Sequence, residues 1–140
     1  MQNGLSRVVI DTNILYIFLY NPESRAGRLI EAALSKKIGL FSTDSVKEEI
    51  TRLMKNDFCF SENKISEILE YFPVKWIDKK IYSDFMRQAE IIRHKPDRPV
   101  LALAIALNCG IITANKKHFM PAKKIVKIWK IDELLKEIER

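Results

Sequence analysis

Short apolar runs alternate along this chain with longer segments that have the periodicity of amphipathic helices. The first run, residues 8–10, follows Arg7 and ends at Asp11, which is the length of a strand buried on both faces. This alternation predicts an α/β fold with a parallel sheet, because right-handed crossovers place the connecting helices over both faces of the sheet. The predicted strands are residues 7–10, 40–41, 74–77, 111–113 and 125–129.

Segments of helical periodicity fill the intervals between these strands. We expect Gly39 to close the first helix, and Ser45 with Glu48 has the pattern of a capping box that opens the second. Ser61 and Asp78 are expected to cap the two helices that follow them. The predicted helices span residues 25–37, 45–54, 64–71, 78–93, 100–107 and 131–138.

The size and composition of the chain favour one globular unit without a membrane segment. Its 140 residues, 47% of them hydrophobic, suit one domain, so we expect residues 1–140 to form a single domain. The longest apolar stretches, 14–20 and 100–107, are too short to span a bilayer. Two cysteines, and an N-terminal segment without a secretory pattern, favour a reduced cytoplasmic protein. The net charge of +6 is compatible with a polyanionic partner and also with ordinary solubility.

Acidic side chains stand at the predicted strand ends or near the starts of the adjoining helices. Asp11 follows the first strand, Glu49 lies in the helix after the second, and Asp97 precedes the apolar helix. The simpler interpretation of Asp11 and Asp97 is helix capping, and that of Glu49 is a solvated position. In a doubly wound sheet, however, the three meet at one rim, where converging carboxylates are stable only if a cation neutralises them or their pKa values rise. Oxygen ligands, without a Cys or His pair at metal-binding spacing, favour Mg²⁺ or Mn²⁺ and disfavour zinc.

Four short motifs, taken in order, resemble the PIN domain family of ribonucleases. They are DTNIL at 11–15, Glu followed by Ile at 49–50, DRPVLALAIA at 97–106 and IITAN at 111–115. The resemblance extends from about residue 7 to residue 129. It implies a three-layer α/β/α sandwich with a five-stranded parallel sheet. It also implies an acidic cluster that binds Mg²⁺ or Mn²⁺ and cleaves single-stranded or structured RNA.

The resemblance carries three acids of the family onto this chain. Position by position, they are Asp11, Glu49 and Asp97, which would hold the metal ion. Asn13 matches the polar residue that accompanies the first acid. Glu49 is preferred to Glu48 because the family's Glu directly precedes an apolar residue.

The fourth acid is where this chain departs from the family. Members commonly carry Asp after a Thr or Ser at the fourth strand, whereas Thr113 is followed by Ala114 and Asn115. Some toxin-like members resemble this version, and His118 then stands near the missing charge. Asn115 offers only a neutral carbonyl oxygen, which weakens ion binding and the case for a second ion. We expect Asn13 and Thr113 to orient ligands or water, and Asn115 with His118 to complete the rim.

Basic residues near the third and fourth motifs are candidates for RNA binding. Lys116, Lys117 and Arg98 lie close to the predicted cleft, where they would contact phosphates and make binding sensitive to salt. A solvated basic surface is the simpler alternative. A Ser or Cys nucleophile is disfavoured, because neither His94 nor His118 has a partner that is evident in the sequence.

The leading functional hypothesis is a metal-dependent endoribonuclease that acts as the toxin of a toxin–antitoxin pair, with a small antitoxin protein as its partner. The resemblance to the family also implies a homodimer. The aromatic side chains of Tyr16, Phe18 and Tyr20 are interpreted as part of the core or of the dimer interface. Stacking on RNA bases is the alternative interpretation. The rival hypothesis is a PIN-like RNA-binding or scaffold domain that has lost catalysis, which Asn115 favours and the three acids oppose. An aspartyl phosphohydrolase or a receiver domain is disfavoured, because the additional acids that these need are absent near Asp11.

Overall fold

The computed structural model describes residues 7–140, and five strands in this part of the chain form a parallel sheet. The strands are β1 (Arg7–Ile10), β2 (Gly39–Thr43), β3 (Val74–Ile77), β4 (Gly110–Ile112) and β5 (Ile128–Trp129). Their order in the sheet is β3-β2-β1-β4-β5. Residues 1–6 lie outside the described residues. The predicted single domain includes them, and so does the N-terminal segment that lacks a secretory pattern.

Helices fill the crossovers between strands, as the alternating pattern predicts. The α-helices are α1 (Thr12–Tyr20), α2 (Arg25–Leu34), α3 (Asp44–Asn56), α4 (Glu62–Tyr71), α5 (Lys79–Tyr82), α6 (Arg98–Leu107), α7 (Lys116–Phe119) and α8 (Ile131–Ile138). The 3-10 helices are Ser83–Phe85, Gln88–Ile91, Lys95–Asp97 and Met120–Ala122. Within residues 7–140, no helix combines the length and the apolar composition that crossing a bilayer requires.

Two layers of helices enclose the sheet, which confirms the α/β/α sandwich. On one side, α6 packs on β1, β2 and β4, and α5 packs on α6. On the other side, α3 packs on β2 and β3 and contacts α1 and α4, while α2 contacts α1 and α8. The chain runs outward from β1 to β3 and then returns to β4, so right-handed crossovers place the two sets of helices on opposite faces. The strand order reverses between β1 and β4, where open parallel sheets bind ligands at the carboxyl ends of their strands.

The first strand is buried on both faces, as its apolar run predicts. Val8, Val9 and Ile10 have no exposed surface, because helices cover both sides of this central strand. Ile10 pairs with Ile112 of β4 in parallel register. The N–H of Asp11 extends this ladder and donates to the carbonyl oxygen of Ile112 at 3.1 Å. Asp11 therefore lies at the carboxyl edge of the sheet, beside the end of β4.

Two of the predicted helix caps are confirmed, and the capping box is wrong. Ser61 Oγ accepts a hydrogen bond from the backbone at 3.2 Å, and Asp78 Oδ1 accepts one at 2.9 Å, each within the first turn of its helix. The cap of α3 is Thr43, whose Oγ1 accepts from the N–H three residues later at 3.0 Å. Because β2 continues through Thr43, that residue stands at the junction of strand and helix, ahead of Ser45 and Glu48.

Gly39 does not close α2, since it is the first residue of β2. Lys36 instead adopts left-handed backbone, with φ at 61°. The N–H groups of Lys36 and Lys37 donate to the carbonyl oxygens of Ala33 and Ala32 at 3.0 and 2.9 Å, which is a Schellman closure. Glycine usually occupies the left-handed position of this motif, so the sequence carries no signal for a closure at lysine.

The long helix predicted over residues 78–93 is wrong, because α5 and two 3-10 helices occupy this segment. The ring of Tyr82 is buried, and its hydroxyl donates to Asp44 Oδ1 at 2.5 Å. Ile81 and Ile91 remain exposed. Packing on α6 and the Tyr82 anchor therefore determine the path of this segment in place of a continuous ladder of helical hydrogen bonds.

The fifth strand is shorter than the predicted range of 125–129, because β5 begins at Ile128. The N–H groups of Ile125 and Val126 both donate to the carbonyl oxygen of Ala122, at 2.8 and 3.1 Å. The N–H groups of Ile125 and Val126 are therefore engaged in a turn and do not form strand hydrogen bonds with β4. β3 and α8 have the bounds that the sequence predicts.

Candidate active site

A cleft of about 310 Å³ opens at the carboxyl edge of the sheet, where the strand order reverses. It contains all three predicted acids and Asn115. Its lining residues are Asp11, Thr12, Asn13, Tyr16, Ile17, Glu49, Leu53, His94, Asp97, Asn115 and His118. The fold therefore brings together the residue that follows β1, residues of α1, α3 and α7, and the segments before α6 and α7.

Asp11 is buried at the bottom of the cleft and has two roles. Its Oδ1 accepts from the N–H of Thr12 at 2.9 Å at the start of α1, so the capping interpretation is correct. Its Oδ2 accepts from the hydroxyl of Thr113 at 2.9 Å and from Asn13 Nδ2 at 3.3 Å. Capping and a place in the cleft are compatible here, because each uses a different oxygen of the carboxyl group.

The carboxylate of Asp11 has little positive charge nearby to stabilise its ionised form. Burial, and after it the negative charge of Asp97, raise the pKa of Asp11 to about 6. Glu49 raises this pKa further, while the hydrogen bonds from Thr113 and from the N–H of Thr12 lower it. The three carboxylates are therefore close enough to interact.

Glu49 enters the cleft from α3, and the choice between Glu49 and Glu48 follows from their positions on that helix. Glu49 is half-buried and lines the cleft, whereas Glu48 is exposed. The hydroxyl of Thr12 donates to Glu49 Oε1 at 2.5 Å. Since the N–H of Thr12 also binds Asp11, this residue fixes the first two acids relative to each other.

Asp97 is buried at the start of α6, but its side chain makes no capping hydrogen bond. The capping interpretation of this side chain is wrong. Its Oδ2 accepts instead from Nδ1 of His118 at 2.8 Å and from Nδ1 of His94 at 3.0 Å. The two imidazole rings stack with their centroids 4.5 Å apart. Sequence reasoning missed His94 as a site residue, because only the fold places it beside His118.

A network of polar groups joins α1 to the segment after β4. Asn13 Oδ1 accepts from the N–H of Ala114 at 3.0 Å, and Asn13 Nδ2 donates to Thr113 Oγ1 at 3.3 Å. Thr113 is fully buried and also accepts from the N–H of Asn115 at 3.0 Å. The amide nitrogen of Asn115 lies 3.1 Å from both ring nitrogens of His118. These contacts bring together the four polar residues that the sequence places at the rim.

The structure does not place the three basic candidates among the residues that line the cleft. Lys116 is half-buried and pairs with Glu133 at 3.3 Å. Arg98 Nε donates to the carbonyl oxygen of Ile92 at 3.0 Å. Lys117 is exposed and adjoins His118 in α7, so it is the basic candidate with the most accessible charge beside the cleft.

The donor set of the cleft suits a divalent cation. Asp11, Glu49 and Asp97 provide carboxylate oxygens, and a hard cation would stabilise the ionised form of Asp11, which burial and then the negative charge of Asp97 disfavour. The ligands are not oxygen alone, however, because His94 and His118 add imidazole nitrogens at Asp97. The premise on which the sequence disfavoured zinc is therefore incorrect.

A larger hollow of about 580 Å³ lies at the opposite edge of the sheet, around Gly39 and Val74. Among the described residues that line it, the ionisable side chains are those of Lys36 and Lys75. It contains no acid–base pair or metal-ligand set. The smaller cleft, which gathers the acids and the histidines, is therefore the candidate active site.

Comparison with known families agrees with the motifs and with the fold. A family model described as the PIN domain matches residues 7–117. The chain belongs to the PIN domain family. PIN domains are in general nucleases and typically use divalent metal ions. The resemblance inferred from the four motifs is thus confirmed.

Solved structures with a similar fold include three toxin–antitoxin proteins. A toxin–antitoxin complex from Klebsiella pneumoniae is 22% identical, with a TM-score of 0.61 over 80% of this chain and 89% of that chain. VapBC2 from Rickettsia felis, bound to a DNA fragment from their promoter, is 20% identical, with a TM-score of 0.62 over 88% and 98%. VapBC-1 from nontypeable Haemophilus influenzae is 18% identical, with a TM-score of 0.60 over 90% and 98%. At these identities the likeness establishes the fold. No curated protein matches the chain significantly.

Proposed function

We propose that this PIN domain is an endoribonuclease that depends on Mg²⁺ or Mn²⁺, and that Asp11, Glu49 and Asp97 hold the cation. The observation that carries the proposal is the convergence of these acids, which are far apart in the sequence, on one cleft at the reversal of strand order. The raised pKa of Asp11 supports it, because a bound cation would offset both of its causes, the burial of the carboxyl group and, after it, the negative charge of Asp97.

The residues of the chain would fix the geometry of the reaction. A bound Mg²⁺ or Mn²⁺ supplies an activated water and offsets charge on the scissile phosphate. Thr113 and the N–H of Thr12 orient the two oxygens of Asp11, and the hydroxyl of Thr12 holds Glu49. Asn13 joins α1 to the loop after β4, so the Asp11 side of the cleft keeps a fixed shape. A fixed arrangement of ligands lowers the reorganisation that the reaction requires.

RNA is the proposed substrate, and the surroundings of the cleft suit a nucleic acid. Lys117 is exposed beside His118, and the protein carries a net charge of +6, which attracts a polyanion. The ring of Tyr16 lines the cleft with Ile17 and Leu53. Tyr16 also packs against the hydrophobic core, as the sequence predicts, and its place in the cleft additionally suits contact with an RNA base.

We also propose that the protein is the toxin of a toxin–antitoxin pair, that it acts in the cytoplasm and that it forms a homodimer. The likeness of its fold to the VapBC proteins supports an antitoxin partner. On the helical face formed by α1 and α4, Tyr20 and Tyr71 are exposed, and the ring of Phe18 stacks on Tyr71 at 6.2 Å. An exposed aromatic group of this kind suits a protein interface.

A second candidate function is a PIN-like RNA-binding domain with weakened catalysis. Asn115 favours this candidate, because its neutral amide contributes no negative charge to the cleft and is engaged with His118. The two candidates agree on RNA binding and differ on cleavage.

Cleavage of a mixed-sequence single-stranded RNA distinguishes them. Untagged protein is incubated with the RNA in Mg²⁺, in Mn²⁺ and in chelator, beside the variant Asp11→Asn. The matched control is Asp84→Asn, which removes a carboxylate that is exposed and distant from the cleft lining. RNA binding is measured in parallel by fluorescence anisotropy.

The endoribonuclease predicts internal cleavage in the presence of either ion, no cleavage in chelator, loss of cleavage in Asp11→Asn and full cleavage by Asp84→Asn. Salt-sensitive RNA binding without cleavage under any condition supports the weakened domain. Cleavage that survives in chelator or in Asp11→Asn contradicts the proposed metal site.

A further inference from the structure

His94, Asp97 and His118 form a compact cluster, of which the proposed Mg²⁺ or Mn²⁺ chemistry uses only the carboxylate of Asp97. One ligand atom from each residue lies within 4.8 Å of the other two. Both Nδ1 atoms contact the same oxygen of Asp97, at 2.8 Å for His118 and 3.0 Å for His94. Two segments of the chain, residues 94–97 and α7, therefore direct two imidazoles and one carboxylate toward a common point.

We propose that these three residues form a site for a first-row transition-metal dication, with Zn²⁺ as the preferred test ion. Imidazole nitrogen suits zinc and its neighbours, whereas Mg²⁺ requires oxygen ligands. Two imidazoles and a carboxylate are three protein ligands, which is the number found in zinc sites that leave a position open. Such a site differs in chemistry from the carboxylate ligands of Asp11 and Glu49, although it shares Asp97 with them.

The separations fit a metal ion after a small adjustment. Zinc binds nitrogen and oxygen at about 2.0–2.2 Å, which places the ligands of a tetrahedral site roughly 3.4 Å apart. The present contacts of 2.8 and 3.0 Å are hydrogen bonds, so each imidazole would move outward by a few tenths of an ångström. His94 is exposed and His118 is half-buried, and side chains with this freedom can make that movement.

Asn115 has a defined role in this site. A metal ion on Nδ1 of His118 requires the proton on Nε2, and the Asn115 side chain lies 3.1 Å from that nitrogen. A flip of the amide would present Asn115 Oδ1 as the acceptor of this proton. Partners of this kind fix the orientation and the tautomer of histidines that bind a metal ion. Asn115 is then a positioning residue for His118 in addition to a residue of the rim.

The burial of Asp97 supplies the fixed point of the site. Asp97 is only 8% exposed, at the start of α6, and one oxygen of its carboxyl group accepts hydrogen bonds from the two imidazoles. The imidazoles come from segments on either side of α6, at positions 94 and 118. A metal ion would therefore cross-link the start of α6 to α7, and would raise the melting temperature of the protein.

The test measures metal binding without RNA, so it does not depend on the proposed nuclease function. Untagged full-length protein is titrated with Zn²⁺ and with Mg²⁺ by calorimetry, and with Co²⁺ by visible absorption. The chain has two histidines and two cysteines, and Cys59 is exposed, so the titrations use a Cys59→Ser background to remove that thiol as a competing ligand. The variants are His94→Ala, His118→Ala and Glu49→Gln, with Lys117→Ala as the matched control in α7.

We expect one Zn²⁺ to bind at least about tenfold more tightly than Mg²⁺. Each histidine variant should lower Zn²⁺ affinity by about a hundredfold. Loss of a residue that only supports a ligand lowers metal affinity about 10- to 100-fold, and loss of the ligand itself should cost at least as much. Lys117→Ala should retain the parent affinity. Equal affinity for Zn²⁺ and Mg²⁺, or unchanged Zn²⁺ affinity in both histidine variants, overturns the site. Zn²⁺ affinity that depends on Glu49 and not on the histidines overturns it as well.

A second measurement covers the case in which a variant misfolds. Because the chain has only two histidines, the imidazole nitrogens of the parent protein give two assignable sets of NMR signals. Zn²⁺ should shift both sets together and saturate at one equivalent. Signals that stay in place while Zn²⁺ binds elsewhere contradict the site without any substitution.

Discussion

The two flanks of the cleft hold carboxylates of similar burial in different chemical settings. We call Asp11, Thr12, Glu49 and Thr113 the carboxylate flank, and His94, Asp97, Asn115 and His118 the imidazole flank. Asp11 and Asp97 are 5% and 8% exposed. Asp11 is surrounded by hydroxyl and backbone donors, whereas two imidazoles bind Asp97.

This difference shows that burial alone does not determine the chemistry of an acid. On the carboxylate flank, burial and neighbouring negative charge raise the pKa of Asp11 to about 6, and oxygen ligands favour a hard cation. On the imidazole flank, nitrogen ligands favour a transition metal. One cleft therefore offers two kinds of donor set that meet at Asp97.

The largest effect is expected from removal of an acid on the carboxylate flank. Glu49→Gln should lower RNA cleavage in Mg²⁺ by roughly a hundredfold or more, because the loss of a metal ligand costs about 3 kcal/mol of transition-state stabilisation. Glu48→Gln, its exposed neighbour on α3, is the matched control and should retain activity. Initial rates of cleavage at saturating RNA test this prediction. Equal loss of activity in the two variants would contradict the choice of Glu49 over Glu48 as the metal ligand.

The second effect concerns stability and pH in the metal-free protein. The pKa of Asp11 rises from 3.8 to about 6 on folding, so between those values the native state binds more protons than the unfolded state. The contribution of this group to stability therefore falls as pH rises through that window, and it stays low above it. Asp11→Asn removes the charge, so the free energy of unfolding at pH 7 in chelator should increase by about 1–3 kcal/mol.

Denaturant unfolding at several pH values measures this effect. The stabilisation by Asp11→Asn should be greatest at pH 7 and should shrink as the pH falls toward 4, where the parent carboxyl is protonated. Asp84→Asn, which removes an exposed carboxylate, should show no comparable gain at pH 7. A destabilised Asp11→Asn variant at pH 7 would mean that the hydrogen bonds of the carboxylate outweigh its burial.

A smaller effect is expected when a carboxylate is added to the imidazole flank. Asn115→Asp should tighten Mg²⁺ binding about tenfold, because a fourth negative charge adds about 1.4 kcal/mol of attraction near the cleft surface. Asn115→Ala tests whether the effect comes from charge and should not tighten Mg²⁺ binding. Calorimetric titration provides both values. If the two variants bind Mg²⁺ equally, position 115 does not face the ion.

The smallest effect is expected from the exposed lysine beside the imidazole flank. Lys117→Ala should weaken RNA binding about threefold at moderate salt, and should reduce the slope of log affinity against log salt by about 0.7. Lys116→Ala should have less effect, because Lys116 pairs with Glu133. Lys75, at the opposite edge of the sheet, provides the control substitution. Equal effects at positions 117 and 75 would indicate attraction by net charge alone.

The sequence predicts the carboxylate flank well, because its acids adjoin the boundaries of elements that have strong patterns. Asp11 follows an apolar strand, and Glu49 lies in an amphipathic helix that is anchored by Ile50. The parallel sheet then follows from the alternation of strands and helices. Local patterns are sufficient to place Asp11 at the end of a strand and Glu49 on a helix, whereas the choice of Glu49 over Glu48 comes from the resemblance to the family.

The imidazole flank could not be predicted in the same way. His94 follows a segment that the pattern interprets as one long helix, whereas buried contacts such as that of Tyr82 with Asp44 break the segment into short turns. No spacing rule links His94 to His118, because α6 and β4 lie between them. Their pairing depends on tertiary packing, so no pattern in the sequence could add imidazole nitrogens to the predicted oxygen ligands.

The most direct test of the account is a crystal structure of the protein soaked with Mn²⁺, with the ion located by its anomalous scattering. The account predicts a peak within coordination distance of carboxylate oxygens from Asp11, Glu49 and Asp97. A peak that contacts neither Asp11 nor Glu49, or no peak at an Mn²⁺ concentration that supports RNA cleavage, would contradict the central claim that these acids hold the catalytic cation.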